Sequence, residues 1–456
     1  MITFPGRDDV IRRVCEYRQD HVFEHWQELS EAERKELLDD LADVDFDLLK
    51  KLFSVEEAAM DTQYEPAPCI GLPRTAAEKK EWARARAAGE EHARAGKVAA
   101  FVVAGGQGSR LGYEGPKGKF PVGPVSGKTL FQIHAEKVLK YSRKYGASIP
   151  FLVMTSRANH DETEAYFRDN RWFGLAPEDV LIFPQNMIPS IDTKGRLMLE
   201  TRSGIFKNPD GHGGSLTALY TSGALRELAR RGIETISYFQ VDNPLVKIVD
   251  PVFIGFQVLR GADVSSKAVK KAYAGEKVGV FVRFDSGAIG VVEYSDLPAE
   301  KTNSMDGKGE LRFSSGSIAI HLFRREFVER VTAGTEISLP FHTARKKIKT
   351  VSGEVDGLKF EKFVFDALPL TERNIVFETL REEEFAPVKN PSGVDSVDSA
   401  RSMMNDLFRK WLAARGVAVP AAVETVEISP LVAVEPEDID PALAVPSEKR
   451  VYIDTV

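Results

Sequence analysis

The residues best able to do chemistry cluster in one stretch, Val98 to Thr129, VAAFVVAGGQGSRLGYEGPKGKFPVGPVSGKT. An apolar run, Val98–Ala104, breaks into Gly105, Gly106 and Gly108; Arg110 follows, then Lys117, Lys119 and Lys128 among glycines and prolines. A buried strand that opens into a glycine-rich, cationic loop offers backbone N–H groups and side-chain charge to a polyphosphate. Gly105 and Gly106 let the backbone approach a base and ribose with no Cβ in the way. Arg110 can fork onto phosphate oxygens, and Lys117 adds a second cation on a Pro-Lys turn. Further along, Asp242 in YFQVDNP stands at the end of an apolar run, where a carboxylate can hold Mg²⁺ against nucleotide phosphates.

Three kinds of protein use such a loop. A Walker A motif needs G-x-x-x-x-G-K-[ST]; Gly127-Lys128-Thr129 has the right end, but the first glycine would fall at Val122. A dinucleotide fold needs glycines that pass straight into a helix, with an acid after the second strand. Here Tyr113–Lys128 intervenes, and Thr155-Ser156-Arg157 stands where the acid should be. A nucleotidyltransferase loop needs Gly-Gly, Gly, then Ser-Arg and a distal Pro-Lys, all of which are present. A turn that merely reverses the chain leaves the coincidence of Arg110, Lys117 and Lys119 unexplained.

The elements that must position these residues can be read from periodicity. Residues 1–95 read as a helical region. Asp8–Gln27 and Ser30–Leu52 carry apolar residues at helical spacing, the latter opened by a Ser30/Glu33 capping box, and Thr75–Ala95 is a good helix former. Beyond it, strands Val98–Ala104, Ile149–Thr155, Val180–Phe183 and Thr235–Val241 alternate with helices Leu130–Tyr145, His160–Asn170, Ser215–Arg231 and Pro251–Arg260. That alternation predicts an α/β fold with a mostly parallel sheet, and ligands outside the carboxyl ends of its strands. From Val278 the pattern turns β-rich: Val278–Phe284 and Gly287–Tyr294 as a hairpin, then Ser317–Phe323, Phe360–Phe365 and Ile375–Phe377. Asp398–Arg415 reads as a helix, followed by a proline-rich acidic module with short β-branched runs at Val423–Ile428 and Val451–Ile453. The expected division is 1–95, 96–390 and 391–456.

The totals narrow the class. The chain has 456 residues, 43% hydrophobic and 28% charged, with a formal net charge of -7. That is a globular composition with no global basic field, which argues against nucleic acid as a partner. Two cysteines, Cys15 and Cys69, make neither a disulfide framework nor a zinc spacing. No signal-peptide core or membrane-length apolar run is present, so the expected location is the cytoplasm.

The loop AGGQGSRLG…PKG resembles that of the eukaryotic-type UDP-sugar pyrophosphorylases, particularly the UDP-N-acetylhexosamine (UDP-GlcNAc) branch. Phe183–Pro189 (FPQNMIP), Asp210–Gly214 (DGHGG), Ser237–Gly255, Val278–Ser295, Leu339–Ile348, Lys359–Asp366, Glu378–Asn390 and Glu427–Leu431 (EISPL) are similar in the same order. The resemblance implies a Rossmann-like, GT-A-like nucleotidyltransferase domain between an N-terminal helical region and a small C-terminal domain. It implies an enzyme that joins UTP and a sugar 1-phosphate, releasing pyrophosphate, with Mg²⁺. By the same resemblance Arg110, Lys117 and Lys389 are catalytic. Gly105, Gly106, Gln185, Gly213 and Asp242 hold the nucleotide, with Asp242 also the metal ligand. His212, Gly279, Glu293, Ser317, Phe363 and Phe365 surround the sugar. His212 and Ser317 stand where the GlcNAc-type relatives have asparagine. N-acetylglucosamine 1-phosphate is the expected substrate, with glucose 1-phosphate or a broad sugar range as the alternative, and a non-catalytic nucleotide-sugar binding protein as a remoter one.

Overall fold

The run Val98–Val103 forms a strand buried along its whole length. A computed structural model of the chain describes residues 2–54, 63–333 and 339–454. In it this strand lies in an 11-stranded sheet. Its main path runs Cys69–Ile70, Asn374–Glu378, Val264–Lys270, Ser315–Arg324, Thr235–Gln240, Val98–Val103, Phe151–Thr155, Val180–Pro184. Neighbours along that path are parallel, except that Ser315–Arg324 is antiparallel to both of its own. The expected mostly parallel α/β sheet is therefore present, with side chains buried on both faces as such sheets require. The carboxyl ends of Val98–Val103 and Thr235–Gln240 lie side by side, so the glycine loop and Asp242 leave the sheet together.

The described residues gather into two compact units. The first comprises Met1–Thr62, Gln185–Thr217 and Leu339–Val364; the second comprises Gln63–Pro184, Ala218–Ser338 and Phe365–Val456. The second holds the large sheet. The helix Ala76–Arg94, opened by a Thr75/Glu78 capping box, belongs there with the sheet and not with the earlier helices. It crosses Pro251–Arg260 at two glycines. A Cβ on Gly89 would lie 1.8 Å from the Pro251 carbonyl oxygen, and one on Gly255 1.7 Å from that of Ala85. The first unit packs helices Asp8–Glu16, Glu31–Ala42 and Phe46–Ser54 with a three-stranded sheet, Ile191–Asp192, Gly353–Glu361 and His342–Thr350, over a core that includes Val14, Leu37, Leu41, Ile191 and Phe360.

Four expected elements differ. The helix Asp8–Gln27 ends at Glu16, where Arg18 takes φ +56°, and continues as two 3₁₀ turns. Ser30–Leu52 is two helices, although its Ser30/Glu33 capping box forms as read. Ser215–Arg231 is broken by Gly223 at φ +79° into Gly214–Thr221 and Ala224–Arg230. The strand expected at Phe360–Phe365 stops at Glu361, and Val364–Leu370 is a 3₁₀ helix, so Phe363 and Phe365 do not alternate on a strand. The reason is local: the N–H groups of Lys362 and Val364 go to the Asp210 carbonyl (2.8 Å) and to His212 Nδ1 (3.1 Å), not to a neighbouring strand. In the C-terminal part, helix Val397–Ala414 is followed by Thr425–Ile428 paired in parallel with Arg450–Ile453.

Candidate active site

In the second unit the glycine loop folds back on itself. Gly108 N–H donates to Gly115 O (2.9 Å) and Lys117 N–H to Gly106 O (3.0 Å). Asn159 Nδ2 donates to the carbonyls of Ala104 and Gly106, at 3.1 and 3.3 Å, and fixes the strand exit. This closure carries Lys117 to Asp242, and Lys117 Nζ donates to Asp242 Oδ2 at 3.0 Å. Gly106 is exposed, and a Cβ placed on it would meet nothing within 4 Å. Arg110 is exposed and forms no ion pair among the described residues. The other two loop cations are engaged: Lys119 with Glu162 at 2.6 Å, Lys128 with Glu136 at 2.5 Å.

Asp242 is held from several sides. Val241 N–H donates to Val103 O (3.1 Å), and the buried His134 donates from Nε2 to Val241 O (2.9 Å). Burial drives the His134 pKa down to about 3, so it is a neutral donor at any ordinary pH. Val388 N–H donates to Asp242 O (2.9 Å), which places Lys389 next to the carboxylate strand end. Lys389 itself is half-buried, with Asp395 Oδ2 at 3.9 Å. Asn243 stitches the same two segments together: Nδ2 donates to Glu384 O (2.6 Å), and Oδ1 accepts from Ala386 N–H (3.1 Å). Glu384 is anchored in turn by the fully buried Lys267, which also reaches Asp250, the N-cap of Pro251–Arg260. Buried charges of this kind persist only when mutually satisfied.

A second group in this unit gathers Gly279, Glu293 and Ser317. Ser317 N–H donates to Gly279 O at 2.8 Å, and a Cβ on Gly279 would come within 3.0 Å of Glu293 Oε1. Phe365 lies in the 3₁₀ helix Val364–Leu370.

The first unit holds Gln185, His212, Gly213 and Phe363. Gln185 is buried, one residue past the strand Val180–Pro184. The turn Asp210–Gly214 docks on Lys362–Val364: Gly213 N–H donates to Lys362 O (2.8 Å), and His212 Nδ1 accepts from Val364 N–H. The rings of His212, Phe363 and His342 stack in series, with centroids 5.4 and 4.5 Å apart. Asp210 is buried beside Gly214, and its Oδ1 has no hydrogen-bond partner among the described residues; burial raises its pKa to about 6.

Sequence reasoning gave no role to Asn159, Asn243, His134 or His342. Each acts on backbone or on a ring brought from far along the chain, and none sits in a spacing that signals a site. Among the described residues no group of three or more His, Cys, Asp or Glu could hold a metal, and no helix is long and apolar enough to cross a membrane.

The family model described as UTP–glucose-1-phosphate uridylyltransferase matches residues 71–423. The chain belongs to this family. Within it, the chain is 36% identical to UDP-N-acetylglucosamine diphosphorylase 2 of Arabidopsis thaliana, over 94% of this chain and 90% of that protein. It is 34% identical to the UDP-N-acetylglucosamine pyrophosphorylase of Saccharomyces cerevisiae, over 92% of this chain and 94% of the other. The crystal structure of the uridine diphosphate N-acetylglucosamine pyrophosphorylase from Trypanosoma brucei, in complex with an inhibitor, superposes with a TM-score of 0.86 at 28% identity, covering 100% of this chain and 99% of that one. The expected family and the expected Rossmann-like sheet are thus both found.

Proposed function

We propose that this chain is a uridylyltransferase that joins UTP to N-acetylglucosamine 1-phosphate, giving UDP-N-acetylglucosamine and pyrophosphate. The observation that carries the reading is the Lys117–Asp242 pair, 3.0 Å apart, beside the open Gly106 at the carboxyl end of a mostly parallel sheet. The names of the relatives in plants and yeast support the sugar.

The chemistry asks for placement and charge, not for a covalent nucleophile. In the second unit Gly105 and Gly106 are assigned to the uridine; in the first, Gln185 is assigned to the uracil edge and Gly213 to a backbone contact. An oxygen of the sugar phosphate, already anionic, attacks the α-phosphorus of UTP; the bond from that phosphorus to the bridging oxygen of pyrophosphate breaks, and pyrophosphate leaves with the electron pair. Arg110, Lys117 and Lys389 offset the charge that gathers on the phosphoryl oxygens. Asp242 suits Mg²⁺: one carboxylate completed by substrate phosphates is how that ion is usually held, and Oδ1 has no protein partner among the described residues. When bound, the ion would neutralise phosphate charge. His212, Gly279, Glu293, Ser317, Phe363 and Phe365 are assigned to the sugar side, Glu293 as acceptor for its hydroxyls.

Purified protein with UTP, Mg²⁺ and the 1-phosphates of N-acetylglucosamine, N-acetylgalactosamine, glucose and galactose tests this by pyrophosphate release. The N-acetylglucosamine compound should turn over fastest. Preference for glucose 1-phosphate, the substrate in the family description, moves the assignment there. No release with any sugar removes the activity.

A further inference from the structure

The turn Gly123–Lys128, the part of the loop that nearly spells a phosphate-binding motif, does bind an anion with its backbone. The anion is a side chain of the protein. Glu427, buried on the strand Thr425–Ile428, accepts from Val125 N–H at 2.6 Å and Ser126 N–H at 2.7 Å through Oε2, and from Ser126 Oγ at 2.7 Å through Oε1. Gly123 is required by the fit: a Cβ there would lie 2.9 Å from Glu427 Oε1 and 2.4 Å from Ser126 Oγ. Two arginines of the C-terminal module add to the grip. Arg401 reaches the carbonyls of Pro121 and Val122, and Arg450 that of Pro124.

Between this turn and Lys117 the backbone is tied by a series of hydrogen bonds. Val122 and Gly123 N–H both donate to Lys128 O, Leu130 N–H to Phe120 O, and Phe120 N–H to Lys117 O. Resting on the uridylyltransferase reading above, we propose that Glu427 is a positioning residue for the nucleotide loop: from the C-terminal module it sets the turn, and through it the placement of Lys117 at Asp242. A buried carboxylate is an expensive way to join two segments if only adhesion is needed. It is suited to fixing the direction of several N–H groups at once, and it leaves the nest closed to a second phosphate.

The test compares wild type with Glu427→Ala, Glu427→Gln and Gly123→Ala, with Glu424→Gln as control. Glu424 sits in the same module in an exposed pair with Lys449 and should have no effect. The measurements are kcat and KM for UTP, UTP affinity by calorimetry, melting temperature, and amide hydrogen exchange. Glu427→Ala should lower kcat by about 10- to 100-fold, the usual cost of a small misplacement, with less effect on KM. Glu427→Gln, which keeps an acceptor, should recover part of the loss, and Gly123→Ala should resemble Glu427→Ala. The amides of Val125 and Ser126 should lose protection while those of Val98–Val103 keep theirs. A kcat within about twofold of wild type despite that loss of protection overturns the proposal. If Glu427→Ala does not fold, the other two variants decide: both wild-type-like in kcat overturns it, and a parallel fall at unchanged melting temperature supports it. If the wild type turns over no sugar 1-phosphate, the uridylyltransferase reading fails instead, and the UTP affinities together with the exchange data still decide for or against the brace.

Discussion

A Cβ built on Gly106, in the second unit, meets nothing within 4 Å; one built on Gly213, in the first, lies 2.6 Å from a backbone atom of Phe363 and 2.7 Å from one of Lys362. Gly214 and Gly211 are as tight, with Asp210 Oδ1 at 1.9 Å and Lys362 O at 2.5 Å. The two turns look alike in sequence, AGGQG and DGHGG. In the first, a Cβ on Gly108 would lie 2.8 Å from Tyr113, but the missing side chain of Gly106 leaves open space. In the second, the protein's own backbone has taken it. A glycine-rich stretch therefore carries two different messages, room for a ligand or room for the fold, and only the surroundings tell them apart. The charges follow the same division. The open turn holds Lys117 and Asp242 partly exposed and within reach of each other, whereas the packed turn buries Asp210.

That contrast can be broken by substitution. The largest effect is expected on the open side. Asp242→Asn or Lys117→Ala should cut kcat about 10²- to 10³-fold with little change in melting temperature, read by pyrophosphate release and thermal denaturation. Near-normal turnover in either removes that residue from the machinery. Gly213→Ala should act on the fold, lowering stability by about 3 kcal/mol as overpacking against backbone does, whereas Gly106→Ala should melt like wild type and lose UTP affinity. Denaturant unfolding and calorimetry on the two variants read the difference, and equal melting points would erase the distinction drawn here.

Asp210 gives a pH signature. Its folded pKa of about 6 lies above that of an unfolded aspartate, so between pH 4 and 6 the folded state holds the proton more tightly. The extra stability is present at low pH and is lost as pH rises through about 6. The span is about 2 kcal/mol after allowance for the residual exposure of the group. Asp210→Asn should flatten melting temperature against pH over that window; an unchanged slope would mean that Asp210 is not the source. The smallest change is expected from His212→Ala, which leaves the Val364 N–H without its acceptor and should cost about 1 kcal/mol in unfolding experiments.

Much of the second unit was legible because its signals are local. The all-apolar Val98–Val103 and the helix Leu130–Tyr145 declare themselves within a few residues, as does the Ser30 capping box in the first unit. The pairing of Lys117 with Asp242 could be anticipated only as a loop cation and a carboxylate at a strand end; the loop closure that joins them runs through Asn159 and Gly106, which have no spacing to read. The Phe360–Phe365 segment misled for the opposite reason. Its aromatic and β-branched content favours a strand, but the partners of its N–H groups are the carbonyl of Asp210 and a ring nitrogen of His212, about 150 residues earlier.

The first unit is assembled from three separated stretches of chain, and the second from three more. On the ribosome this sets an order of events. The helices of residues 8–54 emerge early but cannot complete their core until Phe360 has been made. The second unit waits longer, since its strand Thr425–Ile428 finds its only partner among the described residues in Arg450–Ile453. A nascent chain therefore carries exposed apolar surface through most of its synthesis. Refolding from denaturant should be slow for the same reason, because contacts this distant in sequence form only after large loops have closed.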